Sequence, residues 1–260
     1  MLTYPQINPV ALNLGFIELH WYGLMYLLAF LIAYALGCYR ARQPNSVLNK
    51  EELGDLLLFW GVLGVIIGGR LGYVLFYQFN YFLRDPAYIF KVWEGGMSFH
   101  GGLIGAILAM IFYARKHHKA VGKVFDFIAP LVPVGLGLGR IGNFINGELW
   151  GRPTDVAWGM VFPHVDAQAR HATQLYEAAL EGILLFAVLW LFSAKPRPAY
   201  SVSGLFLIGY GLIRFLLEYY REPDAHLGFV LFGSLTMGQL LSLPMLIAGI
   251  GFMVVAYKKK

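Results

Sequence analysis

VFDFIAPLVPVGLGLGRIGNFI, Val124–Ile145, is apolar along most of its length and rich in glycine, yet it ends on Arg140 and Asn143. Its length matches the run of about 20 apolar residues that a bilayer crossing requires. Six further segments share this length and apolar character: His20–Tyr39, Leu53–Gln78, Met97–Ala114, Thr173–Ala194, Ser203–Tyr220 and Met237–Tyr257. The connections are short, apart from Gly147–Ala172 between the fourth and fifth segments. The expected fold is an all-α polytopic membrane protein of seven transmembrane helices, a single integral-membrane domain over residues 1–260 with one sizeable outer loop, 147–172.

Composition agrees. The chain is 58% hydrophobic and only 13% charged, against roughly 25% charged in soluble domains. A net charge of +5 does not indicate nucleic acid, because Lys and Arg lie between the apolar runs and not clustered on one face. The single cysteine, Cys38, excludes an internal disulfide and a cysteine-rich metal site. Met1–Glu18 lacks the basic start and small-residue cleavage site of a removable signal peptide.

Lys and Arg set the orientation. Arg40, Arg42, Lys50, Arg115, Lys116, Lys119, Lys123, Lys195, Arg197 and Lys258–Lys260 make twelve on one side, against five (Arg84, Lys91, Arg152, Arg170 and Arg221) on the other. The positive-inside bias puts the twelve in the cytoplasm, with the N-terminus outside and the C-terminus inside. The remaining arginines, Arg70, Arg140 and Arg214, fall in the outer halves of spans two, four and six. The odd spans begin at the same level with His20 and Tyr22, with Ser98 and His100, and with Gln174, Tyr176 and Glu177. Intramembrane ionisable groups are costly and mark function. Three arginines at one depth, with few carboxylates to balance them, point to an anion site near the outer headgroups. Arg214 and Glu218, at i,i+4, could equally be a self-neutralised pair.

Two motifs compete for chemistry. Gly137–Gly142 fits the G-x-G-x-x-G dinucleotide pattern, but no strand precedes it, so it is rejected. Close helix packing through Gly64/Gly68, Gly101/Gly105 and Gly135/Gly139 explains most of the glycines. Ser98, in Gly96–Phe99, could serve an intramembrane serine hydrolase with a histidine such as His171, but a helix N-cap is the stronger reading. His100, flanked by glycines, is a candidate general base. No metal motif and no ATP-cradling loop is present, so neither metal nor cofactor is indicated.

The blocks HWYGLMY (His20–Tyr26), GGRLGYVLFY (Gly68–Tyr77), GGMSFHGGLIG (Gly95–Gly105), GLGRIGNFINGELWGR (Gly137–Arg152), RHATQLYE (Arg170–Glu177) and SGLFLIGYGLIRFLLEYYREPD (Ser203–Asp224) together resemble bacterial prolipoprotein diacylglyceryl transferases. The resemblance runs from His20 to about Pro244 and departs at Ala172 and Thr173, where Pro and Ser would stand. It implies an enzyme of the bacterial plasma (inner) membrane with its active site toward the periplasm. Such an enzyme moves the diacylglyceryl group of phosphatidylglycerol to the lipobox cysteine thiol of a preprolipoprotein and releases glycerol phosphate. It implies catalytic roles for Tyr22, His100, Arg140 and Arg214. Lipid contacts are implied at Arg140, Asn143 and Gly151, with Glu148 and Glu218 in support; Arg70 and Asn146 at the same level are read as further headgroup contacts. A non-catalytic lipid transporter is the alternative outside enzyme chemistry, but the inner halves of the spans are too apolar for a crossing path.

Overall fold

A computed structural model describes residues 2–15, 18–223, 229–231 and 235–258. Asp224 of the last matching block, and Lys259 and Lys260 of the basic C-terminus, lie outside them. Eight helical rods carry the described chain: α1 (Trp21–Ala41), α2 (Lys50–Tyr77), α3 (Phe79–Arg84), α4 (Phe99–Lys116), α5 (Val121–Ile145), α6 (Thr173–Ser193), α7 (Ser201–Leu217) and α8 (Met237–Lys258). Of these, α1, α2, α5, α6 and α8 are long and apolar enough to cross a membrane. The other two expected spans correspond to α4, of 18 residues, and α7, of 17.

Local chemistry sets the boundaries. The α2 rod begins with a capping box, in which the Asn49 side chain accepts from the Glu52 N–H and the Glu52 carboxylate accepts from the Asn49 N–H, satisfying two donors that a helix start leaves open. The α4 helix starts at Phe99, two residues later than the apolar run suggests, because the Ser98 hydroxyl accepts the Gly101 N–H at 3.2 Å. Ser98 is thus the N-cap anticipated for it.

The chain forms two compact units, one of Gly37–Phe127 and the other of Met1–Leu36 with Ile128–Lys260. Within Gly37–Phe127, α2 and α4 meet backbone to backbone. A Cβ on Gly64 would lie 2.6 Å from the Gly105 carbonyl oxygen, and one on Gly72 would lie 2.8 Å from the Gly101 Cα. Small residues at four-residue spacing let dispersion contacts replace the hydrophobic drive that lipid cannot supply, as expected for Gly64/Gly68 and Gly101/Gly105.

The same expectation fails for Gly135/Gly139, where a Cβ would meet nothing within 4 Å. In the other unit the close approach is made by Gly137, whose Cβ would lie 3.0 Å from the Gly182 Cα on α6. The intended stripe is turned off that contact. Gly182 belongs to a π-helical stretch, Ala178–Leu184, a local widening of the kind that recurs at functional sites.

Short strands complete this unit. β1 (Leu2–Thr3) runs parallel to β4 (Met160–Val161), which pairs antiparallel with β5 (Ala169–Arg170), and β2 (Val10–Asn13) pairs with β3 (Glu18–His20). A last pair joins β6 (Phe229–Leu231) to β7 (Leu235–Thr236). The molecule is therefore mostly helical, with strands of two to four residues too short to show a period of two in the sequence. Tyr4, Met160, Phe162 and Ala172 form a small core against Phe144 and Trp150, and the Tyr4 hydroxyl donates to the Ile145 carbonyl at 2.7 Å. That contact ties the N-terminal segment to the end of α5, where the charged cluster begins.

Candidate active site

Arg140 on α5 and Arg214 on α7 are joined through α6. Glu177 accepts an ion pair from Arg214 Nη1 through Oε1, and its Oε2 lies 3.2 Å from Arg140 Nε. Glu181, one turn on, places Oε2 3.4 Å from the same Arg140 Nε, and Glu218 places Oε2 2.9 Å from Arg214 Nη2. Glu177 and Glu181 are fully buried and Glu218 nearly so. Removing one partner from such a buried pair costs about 3–5 kcal/mol, so the network locks three helices in one rotation and register.

This corrects the expectation of few balancing carboxylates. Two guanidiniums face three of them. The Arg214–Glu218 pair exists, and it is one edge of a larger network that also includes Glu177. Glu181 escaped the sequence reading altogether. A carboxylate deep in a span, one turn from Glu177, was the signal that it needed a cationic partner.

Arg140 is held at one edge only. Its Nε takes both carboxylates, while Nη1 and Nη2 make no hydrogen bond among the described residues. The planar end of the guanidinium, the part that grips two anionic oxygens at once, is left available.

The polar residues after Arg140 form a second cluster. Asn143 and Asn146 both donate to Glu148 Oε1, at 2.9 and 3.2 Å. The loop that carries Glu148 is anchored to the head of α6: Gln174 donates to the Glu148 carbonyl at 2.6 Å and the Thr173 hydroxyl to the Leu149 carbonyl at 3.0 Å. Thr173, where the resemblance would place Ser, keeps the hydroxyl that this anchor uses. Tyr22 packs on Gly142, where a Cβ would come within 2.8 Å of its ring, and its hydroxyl lies 3.2 Å from that of Tyr26.

Gly151 sits where three segments cross. Its N–H donates to the His171 carbonyl at 2.8 Å, it bridges to Arg221, and a Cβ would lie 2.6 Å from both the His171 and Tyr220 carbonyl oxygens. Only glycine fits there. Beside it, Arg170 binds Asp166 at 2.6 Å, Glu222 at 3.1 Å and the Gly151 carbonyl at 3.2 Å. The hydrogen bond from Arg170 holds the Asp166 carboxyl below the usual aspartate range, and burial pushes the His171 imidazole down from its ordinary value. His171 Nδ1 lies 3.2 Å from the Tyr176 hydroxyl, which gives it a partner other than Ser98.

Arg70, Ser98 and His100 belong to the Gly37–Phe127 unit. His100 is exposed on the first turn of α4, beside the Phe99 ring, with no hydrogen bond to a described residue. Ser98 is buried and engaged in capping, with no histidine against it among the described residues. Arg70 is 2% exposed and donates to main-chain carbonyls.

The sequence profile of the family described as "Prolipoprotein diacylglyceryl transferase" matches residues 9–255. A protein from Coxiella burnetii (strain RSA 331 / Henzerling II), named phosphatidylglycerol--prolipoprotein diacylglyceryl transferase, is 58% identical over 260 residues, covering 100% of this chain and 99% of its own. Proteins of the same name from Legionella pneumophila (strain Lens) and Marinomonas sp. (strain MWYL1) are 56% identical over 250 residues and 54% identical over 259. They cover 96% and 99% of this chain, and 97% and 96% of their own lengths. Matched almost end to end, this chain belongs to the prolipoprotein diacylglyceryl transferase family.

Proposed function

We infer that this chain transfers the diacylglyceryl group of phosphatidylglycerol to the lipobox cysteine thiol of a preprolipoprotein, forming a thioether and releasing glycerol phosphate. The observation that carries this reading is 58% identity, over nearly the full length, to a transferase of that name, joined to an arginine whose terminal nitrogens have no partner among the described residues.

The thiolate sulfur attacks the glyceryl carbon next to phosphate. The C–S bond forms as the C–O bond breaks, and the electron pair stays on the phosphate oxygen. Negative charge grows there, and a preorganised guanidinium stabilises it more in the transition state than in the bound lipid. Arg140 supplies that stabilisation through Nη1 and Nη2, while Glu177 and Glu181 keep its Nε edge from turning. Arg214 adds positive charge through the shared Glu177, itself steadied by Glu218. Asn143, Asn146 and Glu148 recognise the hydroxyls of the glycerol headgroup, with Tyr22 beside them. Gly151 holds the outer segments around this cluster. An apolar groove of about 300 Å3, lined by Ile32, Val134, Leu138, Ile141, Ile183 and Phe186, runs along the same helices and seats an acyl chain.

A free thiol has a pKa of about 8.5, so a base assists. We assign the thiol proton to His100. The chain crosses the bacterial inner membrane seven times, with α4 and α7 as the two shorter spans, the N-terminus periplasmic and the site toward the periplasm. We assign residues 1–260 to a single integral-membrane domain. Purified protein mixed with phosphatidylglycerol and a lipobox peptide should add the mass of one diacylglyceryl to the cysteine peptide and nothing to its serine analogue. Folded protein that adds nothing, or adds a single acyl group, refutes the assignment.

A further inference from the structure

Arg70 lies inside the fold as a cation with no carboxylate paired to it among the described residues. Its Nε donates to the Ile89 carbonyl at 3.2 Å, Nη2 to that of Tyr88 at 2.6 Å, and Nη1 to those of Gly95 and Gly96, the latter at 3.3 Å. The guanidinium also lies 4.5 Å from the centre of the Tyr88 ring. Four of its five N–H groups are thus committed to one stretch of main chain, and at 2% exposure it offers no surface to a lipid headgroup. A buried cation is costly unless polar groups solvate it. Four carbonyl dipoles do so here, in a fan that only a planar, multi-donor side chain can satisfy.

The stretch so held leads into α4. Gly95 and Gly96 turn with φ of +78° and +80°. Two residues on, the Ser98 N–H donates to the carbonyl of Gly69, the neighbour of Arg70, at 2.9 Å. A Cβ on Gly69 would lie 2.7 Å from the Met97 methyl group. Ser98 then caps the helix whose first turn carries His100. Arg70 and Gly69 therefore grip the chain on either side of the glycine turn and set where α4 begins.

We propose that Arg70 is a positioning residue for His100: it fixes the Tyr88–Gly96 chain from within and so sets the placement of the first turn of α4. The proposal rests on the assignment of the thiol proton to His100. It accounts for an arginine in span two without a headgroup role and departs from the contact expected of it at the sequence level.

The test uses the full-length protein in nanodiscs containing phosphatidylglycerol. Arg70→Ala should turn over about a hundredfold more slowly per folded molecule, the loss typical of a reacting group displaced by about 1 Å. Its KM for phosphatidylglycerol should stay within about twofold of the parent. Added guanidinium, on the order of tens of millimolar, should restore part of kcat by refilling the site. Gly96→Ala, which leaves Arg70 intact but drives a methyl group into the Tyr73 ring, should lower kcat in the same way without rescue. A raised KM with kcat held would make Arg70 a headgroup ligand and overturn the proposal, as would normal turnover in both variants. Should Arg70→Ala fail to fold, Arg70→Lys and Gly96→Ala decide by the same split of kcat against KM. Two controls separate this proposal from the reading it rests on. If His100→Gln retains full activity, the base assignment fails. Hydrogen exchange judges Arg70 independently of that result: faster exchange confined to residues 85–102 in Arg70→Ala supports the hold on this segment, and unchanged exchange overturns it.

Discussion

Replacing Arg140 by lysine should separate the two tasks of this side chain. Its Nε edge is structural, paired with Glu177 at 3.2 Å and Glu181 at 3.4 Å. Its Nη end has no protein partner among the described residues. Lysine delivers one ammonium at about the depth of the guanidinium carbon Cζ, which keeps a charge within reach of both carboxylates but removes the outward fork. Arg140→Lys should therefore melt close to the parent, with a stability loss of about 1 kcal/mol or less, well short of the roughly 3–5 kcal/mol expected when a buried pair loses one partner. Its kcat should fall by about a hundredfold to a thousandfold, corresponding to about 3–4 kcal/mol for one preorganised donor group lost from a developing anion. Arg140→Gln removes both tasks. It takes from Glu181 its ion pair with Arg140 and should lose both stability and rate. The assay is peptide mass gain against time at saturating phosphatidylglycerol, divided by the folded fraction, alongside thermal melts in the same detergent. If Arg140→Lys is stable and turns over normally, the Nη fork does not act on the leaving phosphate and the mechanism falls. A change confined to KM would instead make Arg140 a ground-state contact.

Ser98→Ala removes the cap on α4 and should cost about 1 kcal/mol of stability while keeping substantial turnover. A serine-directed fluorophosphonate that labels Ser98 in the parent would restore the hydrolase reading. Arg170 holds the Asp166 carboxyl below its unfolded value, so this pair stabilises the outer loop above the ordinary aspartate pKa of about 4. That contribution is lost as pH falls through the lower folded value. The gap in melting temperature between the parent and Asp166→Asn should be open at pH 7 and close on acidification; a gap that widens below pH 4 contradicts the pairing. Reporter fusions after Lys119 and at the C-terminus should read cytoplasmic, and one after Asp166 external. A cytoplasmic signal at Asp166 overturns the orientation.

Reading the helical rods from the amino-acid sequence required only the length of apolar runs and the placement of charge. Each crossing must satisfy its own backbone within one segment, so α1, α2, α5, α6 and α8 lie close to where their runs predict them. Ser98 as a cap and the Gly64/Gly68 and Gly101/Gly105 contacts were also accessible, because capping and small-residue spacing are local rules. Arg140, Asn143 and Glu148 stood out as polar groups among glycines before any contact was known.

Partner identity was not local. Which carboxylate meets which arginine depends on the rotation and register of α5, α6 and α7 about one another, and no segment encodes that alone. Glu181 joined the site, Gly137 and not Gly135 met α6, and Gly151 proved to be a crossing of three backbones, only once the helices and loops were packed. Arg70 shows the same limit most sharply. In sequence it is one of three arginines in the outer halves of their spans, equivalent to Arg140 by depth and charge. In the folded chain its donors are satisfied by four carbonyls from a loop about twenty residues away, whereas two nitrogens of Arg140 have no partner among the described residues. Depth in the membrane follows from hydrophobic length, which each segment carries by itself; whether an arginine there is occupied or available follows from side chains and carbonyls that only tertiary packing brings within hydrogen-bonding distance.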